Sequence, residues 1–307
     1  MRFRIGLLCL ALAASSQASF DLMIAHDTTS NKFHRYDPTT GAYLGAFNHL
    51  GFNTLDKMIA DSSTGIVHAL SGNQVYRYNY STGQYLGYQT IGTLINDFVL
   101  SPDHTRYYGV TNTASVTNAL VGGVGWTTLT GTLANSPSNA LWYGDKLVTS
   151  NLATKSYTLS SITGTTISQV YNGANMNASA TSLKNMVVVE STSGTSHLVQ
   201  PIGGAVCAYP FITSTSLSGT TSVNFAGFQF ANILSLAAGH AGYFYMTGTT
   251  SGGTLHTMMI SENNYGGVDF NMPQITSFDQ MAVAIAPEPG TWAALGLGAF
   301  ALLRRKR

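Results

Sequence analysis

Apolar and polar positions along this chain alternate in short runs closed by polar turns, a period of two that predicts strands rather than helices. Phe33-His34-Arg35-Tyr36-Asp37-Pro38-Thr39-Thr40-Gly41-Ala42-Tyr43-Leu44-Gly45 reads as strand, turn, strand. Val75-Tyr76-Arg77-Tyr78-Asn79-Tyr80-Ser81-Thr82-Gly83-Gln84-Tyr85-Leu86-Gly87 repeats it 42 residues later. The glycine of each Thr-Gly turn supplies the positive φ a hairpin needs. A second element starts at Asp56, Asp97 and Asn139, in steps of 41 and 42 residues. Fainter copies follow near Ser182 and Asn232, and the last is Asp279-Gln280-Met281-Ala282-Val283-Ala284. A repeat of this length with about four short strands predicts the blade of a β-propeller.

The spacing also predicts the blade number. The 223 residues from 56 to 279 divide into five intervals of about 45. A sixth blade then takes its innermost strand from residues 279–286 and its other three from Asp21–Ala25, Lys32–Asp37 and Ala42–Phe47. Sharing one sheet between both ends of the body closes the ring and removes an exposed edge. The expected fold is therefore an all-β, six-bladed propeller over residues 19–286. Seven blades of about 38 residues fit less comfortably. A β-sandwich pair is the competing all-β arrangement, because the repeats fade between residues 111 and 275.

Composition agrees with a strand-rich exported domain. Only 9% of residues are charged and 44% are hydrophobic, too few charges for a helical bundle and enough apolar material for a sizeable core. Of the 14 Lys and Arg, six lie in the terminal segments, leaving eight in the body against 12 Asp and Glu. A body charge of about −4 offers no basic patch for phosphates, so nucleic-acid binding is not expected.

The ends carry addressing signals. Residues 1–18 have the tripartite form of a secretory leader: Arg2 and Arg4, an apolar run from Ile5 to Ala14, and small residues at Ser16 and Ala18. Near the other end, Pro287-Glu288-Pro289-Gly290 precedes a 13-residue apolar run, Thr291 to Leu303, and then Arg304-Arg305-Lys306-Arg307. As a helix that run spans roughly 20 Å, short against a hydrocarbon core of about 30 Å but able to insert with local thinning. The basic cluster acts as a cytoplasmic stop-transfer anchor by the positive-inside rule. Pro287, Glu288, Pro289, the Gly- and Ala-rich run with Trp292, and the basic cluster together resemble the PEP-CTERM sorting signal. That resemblance implies a Gram-negative bacterial protein, held in the inner membrane by residues 291–303 until an exosortase processes it. It also implies a destination at the cell surface or beyond, and an association with exopolysaccharide or biofilm systems.

Chemistry is sparse. There is no H-E-x-x-H, no G-x-S-x-G elbow, no cysteine cluster and no phosphate loop. Cys9 falls in the leader, so Cys207 has no disulfide partner and reads as a buried strand residue. Asp56, Asp97 and Asp279 recur at inner-strand starts. Facing the channel they could hold a cation such as Ca²⁺ through carboxylate oxygens, or each could simply accept neighbouring backbone N–H groups. His68 and His104 read as strand or turn residues. The many tyrosines in the first third, Tyr36, Tyr43, Tyr76, Tyr78, Tyr85 and Tyr88 among them, suit packing between sheets or a sugar-stacking surface. Two functions follow: a non-catalytic binding or structural component of the extracellular matrix or biofilm, with an exopolysaccharide or a surface protein as partner, or a propeller hydrolase or lyase with a metal or Asp/His site at the channel.

Overall fold

The computed structural model describes residues 21–285, apart from 51, 134–135, 174–175, 177–178, 182–184, 191–193, 220–221, 226–229, 240–241 and 262–268. The leader over residues 1–18, Pro287, Glu288 and Pro289, the apolar run 291–303, Arg304 to Arg307 and the repeat copy near Ser182 lie outside the described residues.

Six sheets stand around one axis. The first holds β1 (Leu22–Asp27), β2 (Lys32–Tyr36) and β3 (Tyr43–Asn48). The second holds β4 (Lys57–Asp61), β5 (Ile66–Ser71), β6 (Gln74–Asn79) and β7 (Tyr85–Thr90). The third runs β8 (Ile95–Leu100), β9 (Arg106–Thr111), β10 (Val116–Leu120) and β11 (Thr127–Thr128). The fourth runs β12 (Asn139–Tyr143), β13 (Lys146–Asn151), β14 (Ser156–Thr163) and β15 (Thr166–Gly173).

In the fifth, β16 (Val187–Glu190) and β17 (Ser196–Gly203) are followed by two interrupted strands. β18 (Val206–Ala208) and β19 (Phe211–Ile212) both pair with β17 and flank Pro210, which has no N–H to continue a ladder. β20 (Leu217–Ser218) and β21 (Ser222–Asn224) complete that blade's outer edge. The sixth holds β22 (Phe230–Ala238), β23 (Tyr243–Thr250), β24 (Leu255–Ser261) and β25 (Asp269–Asn271). The last strand, β26 (Phe278–Ala284), returns to the first sheet and pairs with β1, Leu22 opposite Ala284 and Met23 opposite Val283.

The closing sheet thus forms as the arithmetic predicts, and the sandwich and seven-blade alternatives fall away. The faint repeats after residue 111 are three further blades in the same ring. Their strands and turns vary in length, which blurs the period in the sequence.

Both faces of each sheet are buried, so successive side chains of one strand feed two different cores. Met23 packs toward the sixth blade, against Tyr245 and Met272. Ile24, the next residue, packs toward the second, against Met58 and Tyr78. Six such cores, one per blade junction, hold the ring.

Antiparallel pairing sorts the connections onto two faces. The hairpins between first and second strands, and between third and fourth, lie on one face. Ile285 leaves β26 there, so this is called the exit face. The second-to-third hairpins and the blade-to-blade crossings lie on the opposite, crossover face.

Candidate functional site

The channel is crossed by polar groups near the start of the inner strands. Lys57 on β4 donates to Asp97 on β8 at 2.9 Å and to the Ala140 carbonyl on β12 at 3.4 Å. Asp97 also accepts the N–H groups of Ala140 and Phe98, each at 2.8 Å. Burial pushes the Asp97 carboxyl up, and Lys57 and these donors pull it back only in part. Asn185, just before β16, donates to Gln280 on β26 at 2.6 Å and to Ser235 on β22 at 3.4 Å. Gln280 donates on to the Asp56 carbonyl at 3.1 Å, and Gln200 on β17 reaches Ser150 on β13 at 2.9 Å. Together these bonds form a girdle that links neighbouring blades.

Below the girdle the channel is apolar. A cavity of 360 Å³ is walled by Met58, Ile59, Leu141, Met186 and Met281 among others. Its exit-face mouth carries Asp61, Ser101, His104, Trp142 and Ile285. Asp61 and His104 approach to 3.0 Å there.

At the junction of the first and second blades lies a buried chain of titratable groups. Asp279 takes a hydrogen bond from His26 Nδ1 at 2.7 Å and another from the Leu55 N–H at 2.7 Å. His26 Nε2 and His49 Nε2 are 2.8 Å apart. His26 Nδ1 faces the Asp279 carboxylate, one proton fills the contact between the two Nε2 atoms, and His49 Nδ1 is buried without a partner. Burial, with His26 alongside, pushes the His49 imidazole down to about 4. Phe52 stacks on His49 at 4.0 Å between ring centres and closes the site.

A second recess, of 710 Å³, opens on the rim of the sixth blade toward the crossover face. Thr250, Ser251, Thr254, His256, Asp269 and Asn271 line it, with Phe270. His256 Nδ1 lies 3.1 Å from Asn271 Oδ1, and its Nε2 is 2.8 Å from Asp269 Oδ1. Hydroxyl, amide, carboxylate and imidazole groups gathered on one side of this sheet can bind a polyhydroxylated ligand by hydrogen bonds, while the Phe270 ring packs on the opposite side, toward Tyr36.

The three carboxylates singled out from the sequence do not converge. Asp97 is spent on Lys57 and two N–H groups, Asp279 on His26 and Leu55, and Asp56 accepts the Gly72 N–H at 2.8 Å. Asp56 and Asp97 are not equivalent positions either. Lys57 pairs with Leu70, Asp97 with Val110 and Asn139 with Ser150, each partner four residues into its strand, so Lys57 is the true counterpart of Asp97. That one-residue slip changes the face on which the side chain falls. Among the described residues, no group of three or more His, Cys, Asp or Glu is set to hold a metal ion.

Elsewhere, His68 Nδ1 meets the Tyr107 hydroxyl at 2.7 Å inside a blade junction, and Cys207 is a free buried thiol that burial pushes up. Tyr36 and Tyr78 are fully buried between blades, whereas Tyr43 and Tyr88 are exposed. Sequence reasoning missed Lys57 and the His26–His49 contact. A lysine inside an apolar inner strand is a readable signal for the first, but nothing in the sequence marks the second.

These features define a six-bladed β-propeller with a hydrogen-bonded girdle and an apolar axial cavity. The PEP-CTERM protein-sorting motif matches residues 286–307, directly after the closing strand. The chain is thus similar to exported proteins held at the membrane before exosortase processing. No curated protein matches in sequence. The fold is similar to a functionally unknown protein from Desulfotomaculum acetoxidans DSM 771, at 12% identity and TM-score 0.60, covering 87% of this chain and 99% of that one. A protein of unknown function from Bacteroides caccae matches at 10% identity and TM-score 0.61, covering 86% and 99%. A chain of the nidogen/laminin complex matches at 10% identity and TM-score 0.61, covering 86% and 98%. At these identities the likeness concerns the fold alone. Among the described residues no helix is long and apolar enough to cross a membrane.

Proposed function

We propose that the protein is a non-catalytic binding component of the bacterial cell surface or extracellular matrix, and that its ligand is an exopolysaccharide held at the rim of the sixth blade. The recess bounded by Thr250, His256, Asp269 and Asn271 carries this reading, because it gathers the hydroxyl, amide and carboxylate groups that sugar recognition uses. The sorting motif supports a setting in which such a ligand is at hand. The leader and the exosortase step belong to the same reading.

The test is retention of the purified protein on the producer's own matrix polysaccharide. Wild type is retained, and Asp269→Ala or His256→Ala weakens binding about tenfold, as loss of a charge-assisted hydrogen bond does. Wild-type protein that is folded and not retained sinks the reading. A hydrolase or lyase with Ca²⁺ at Asp56, Asp97 or Asp279 is the other reading. Stoichiometric divalent metal in the purified protein, lost on replacing Asp97 by Asn, would establish it instead.

A further inference from the structure

Large apolar side chains are exposed unevenly on this propeller. Tyr43 and Leu44 follow the third-to-fourth hairpin of the first blade, and Leu86 follows the matching hairpin of the second. Leu120 and Val124 stand at the end of β10 and in the turn after it, and Val124 is fully solvent-exposed. Tyr243 opens β23. Strand direction puts all six at the exit face, spread over four blades, and Phe211 of the fifth, opposite His197 near the start of β17, lies toward the same face. On the crossover face only Leu50 and Leu94 stand out in this way among the described residues, while Tyr88 and Val170 lie mid-strand.

The chain itself says what this face meets. Ile285 lines the axial cavity beside residues of all six inner strands, so the tail departs from the axis. Five residues, 286–290, separate it from the apolar run that begins at Thr291. Fully extended they span roughly 17 Å, and two of them are prolines, which stiffen a linker. A short tether at the centre keeps this face the nearer of the two to the surface it is anchored in.

We infer that the exit face is a membrane-facing surface: while residues 291–303 anchor the protein, its apolar rim rests against the lipid bilayer and the crossover face, with the sixth-blade recess, points away. This inference rests on reading the tail as a membrane anchor. Asp37, Asp103 and Asp145 also sit in exit-face turns. Asp145 is paired with Lys146, and Asp37 and Asp103 repel anionic headgroups, so contact comes from apolar side chains on zwitterionic lipid and is insensitive to salt.

The experiment uses the full chain in vesicles of phosphatidylcholine and phosphatidylethanolamine. In a Cys9→Ser background, single cysteines at Leu44, Val124 or Leu94 carry a fluorophore, the buried Cys207 staying unlabelled. A quencher attached to the lipid headgroups reports proximity. Emission is lost at positions 44 and 124 and retained at 94. Equal quenching at all three overturns the orientation. Adding Val124→Asp and Leu120→Asp to the position-44 reporter restores its emission. Unchanged quenching there shows tethering without apolar contact and overturns the docking. Failure of the chain to float with the vesicles is a separate result: it sinks the anchor reading and the inference with it.

Discussion

Lys57 and Asp97 illustrate how much one buried pair can hold. Both are nearly inaccessible, and Lys57 and two backbone N–H groups offset part of what burial costs the Asp97 carboxylate. Removing the cation alone strands a buried carboxylate. Lys57→Met is therefore expected to cost about 3–5 kcal/mol, read as a lower denaturation midpoint, and Lys57→Met with Asp97→Leu recovers most of it.

The histidines set the acid sensitivity. Burial holds His49 and His68 at about 4, against an ordinary value of 6.5. Between those pH values the unfolded chain binds protons that the folded one refuses. Stability therefore falls as pH drops from about 6.5 to about 4, by on the order of 3 kcal/mol per histidine at most. Asp27 contributes in a lower window. Burial opposes its ionisation, but Ser30 and the N–H groups of Thr29, Ser277 and Thr276 outweigh that and hold it at about 2. Its contribution is present above 3.8 and lost as pH falls toward about 2. Urea titrations at pH 7.5, 5 and 4 read the histidine loss directly, and one more at about pH 2.5 enters the Asp27 window. His49→Gln, whose amide offers both a donor and an acceptor toward His26, flattens the upper part of the curve.

At the scale of strands and turns, the Thr-Gly hairpin serves a purpose beyond turning the chain. Gly83 has φ of 76°, and a Cβ there would lie 2.5 Å from the Cβ of Phe47 on the neighbouring blade. Gly41 meets Phe270 of the sixth blade at 2.6 Å in the same manner. Each turn is thus a socket for an aromatic side chain of the preceding blade. Of the arginines that recur with it, Arg35 works between blades, donating to the Ser81 carbonyl at 2.5 Å and the Tyr80 carbonyl at 3.3 Å, whereas Arg77 reaches the Leu86 carbonyl of its own blade. Gly83→Ala combines backbone strain with a clash and is expected to cost about 2–4 kcal/mol. Gly72→Ala, with φ of 58° and open space around it, carries only the backbone part, about 1–2 kcal/mol. The difference between their thermal midpoints isolates the packing contribution.

For the whole molecule, closure decides everything else. β26 contributes Met281, Ala282 and Val283 to two junction cores and Gln280 to the girdle. A chain truncated before Phe278 exposes the edge of β1 and is expected to lose cooperative unfolding, whereas one ending at Ala286 keeps the thermal midpoint of the full body. Circular dichroism melts of both truncations separate these outcomes.

Sequence alone determined the sheet-forming pattern, the repeat length, the blade number and the composite closing blade. All of these follow from local chemistry: alternation chooses strand, glycine chooses turn, and a period multiplied along the chain counts blades. The tail signal was legible for the same reason, since its residues act in one short contiguous stretch. Tertiary structure alone decided which charges meet. Lys57 finds Asp97 across 40 positions, and His26 finds Asp279 across 253, because adjacency around a ring is set by closure rather than by spacing. The expected equivalence of Asp56 with Asp97 failed on a single residue of register, which a period of two turns into a change of face. Two faces that share one composition likewise acquire different surfaces only once strand direction assigns each turn to an end of the axis.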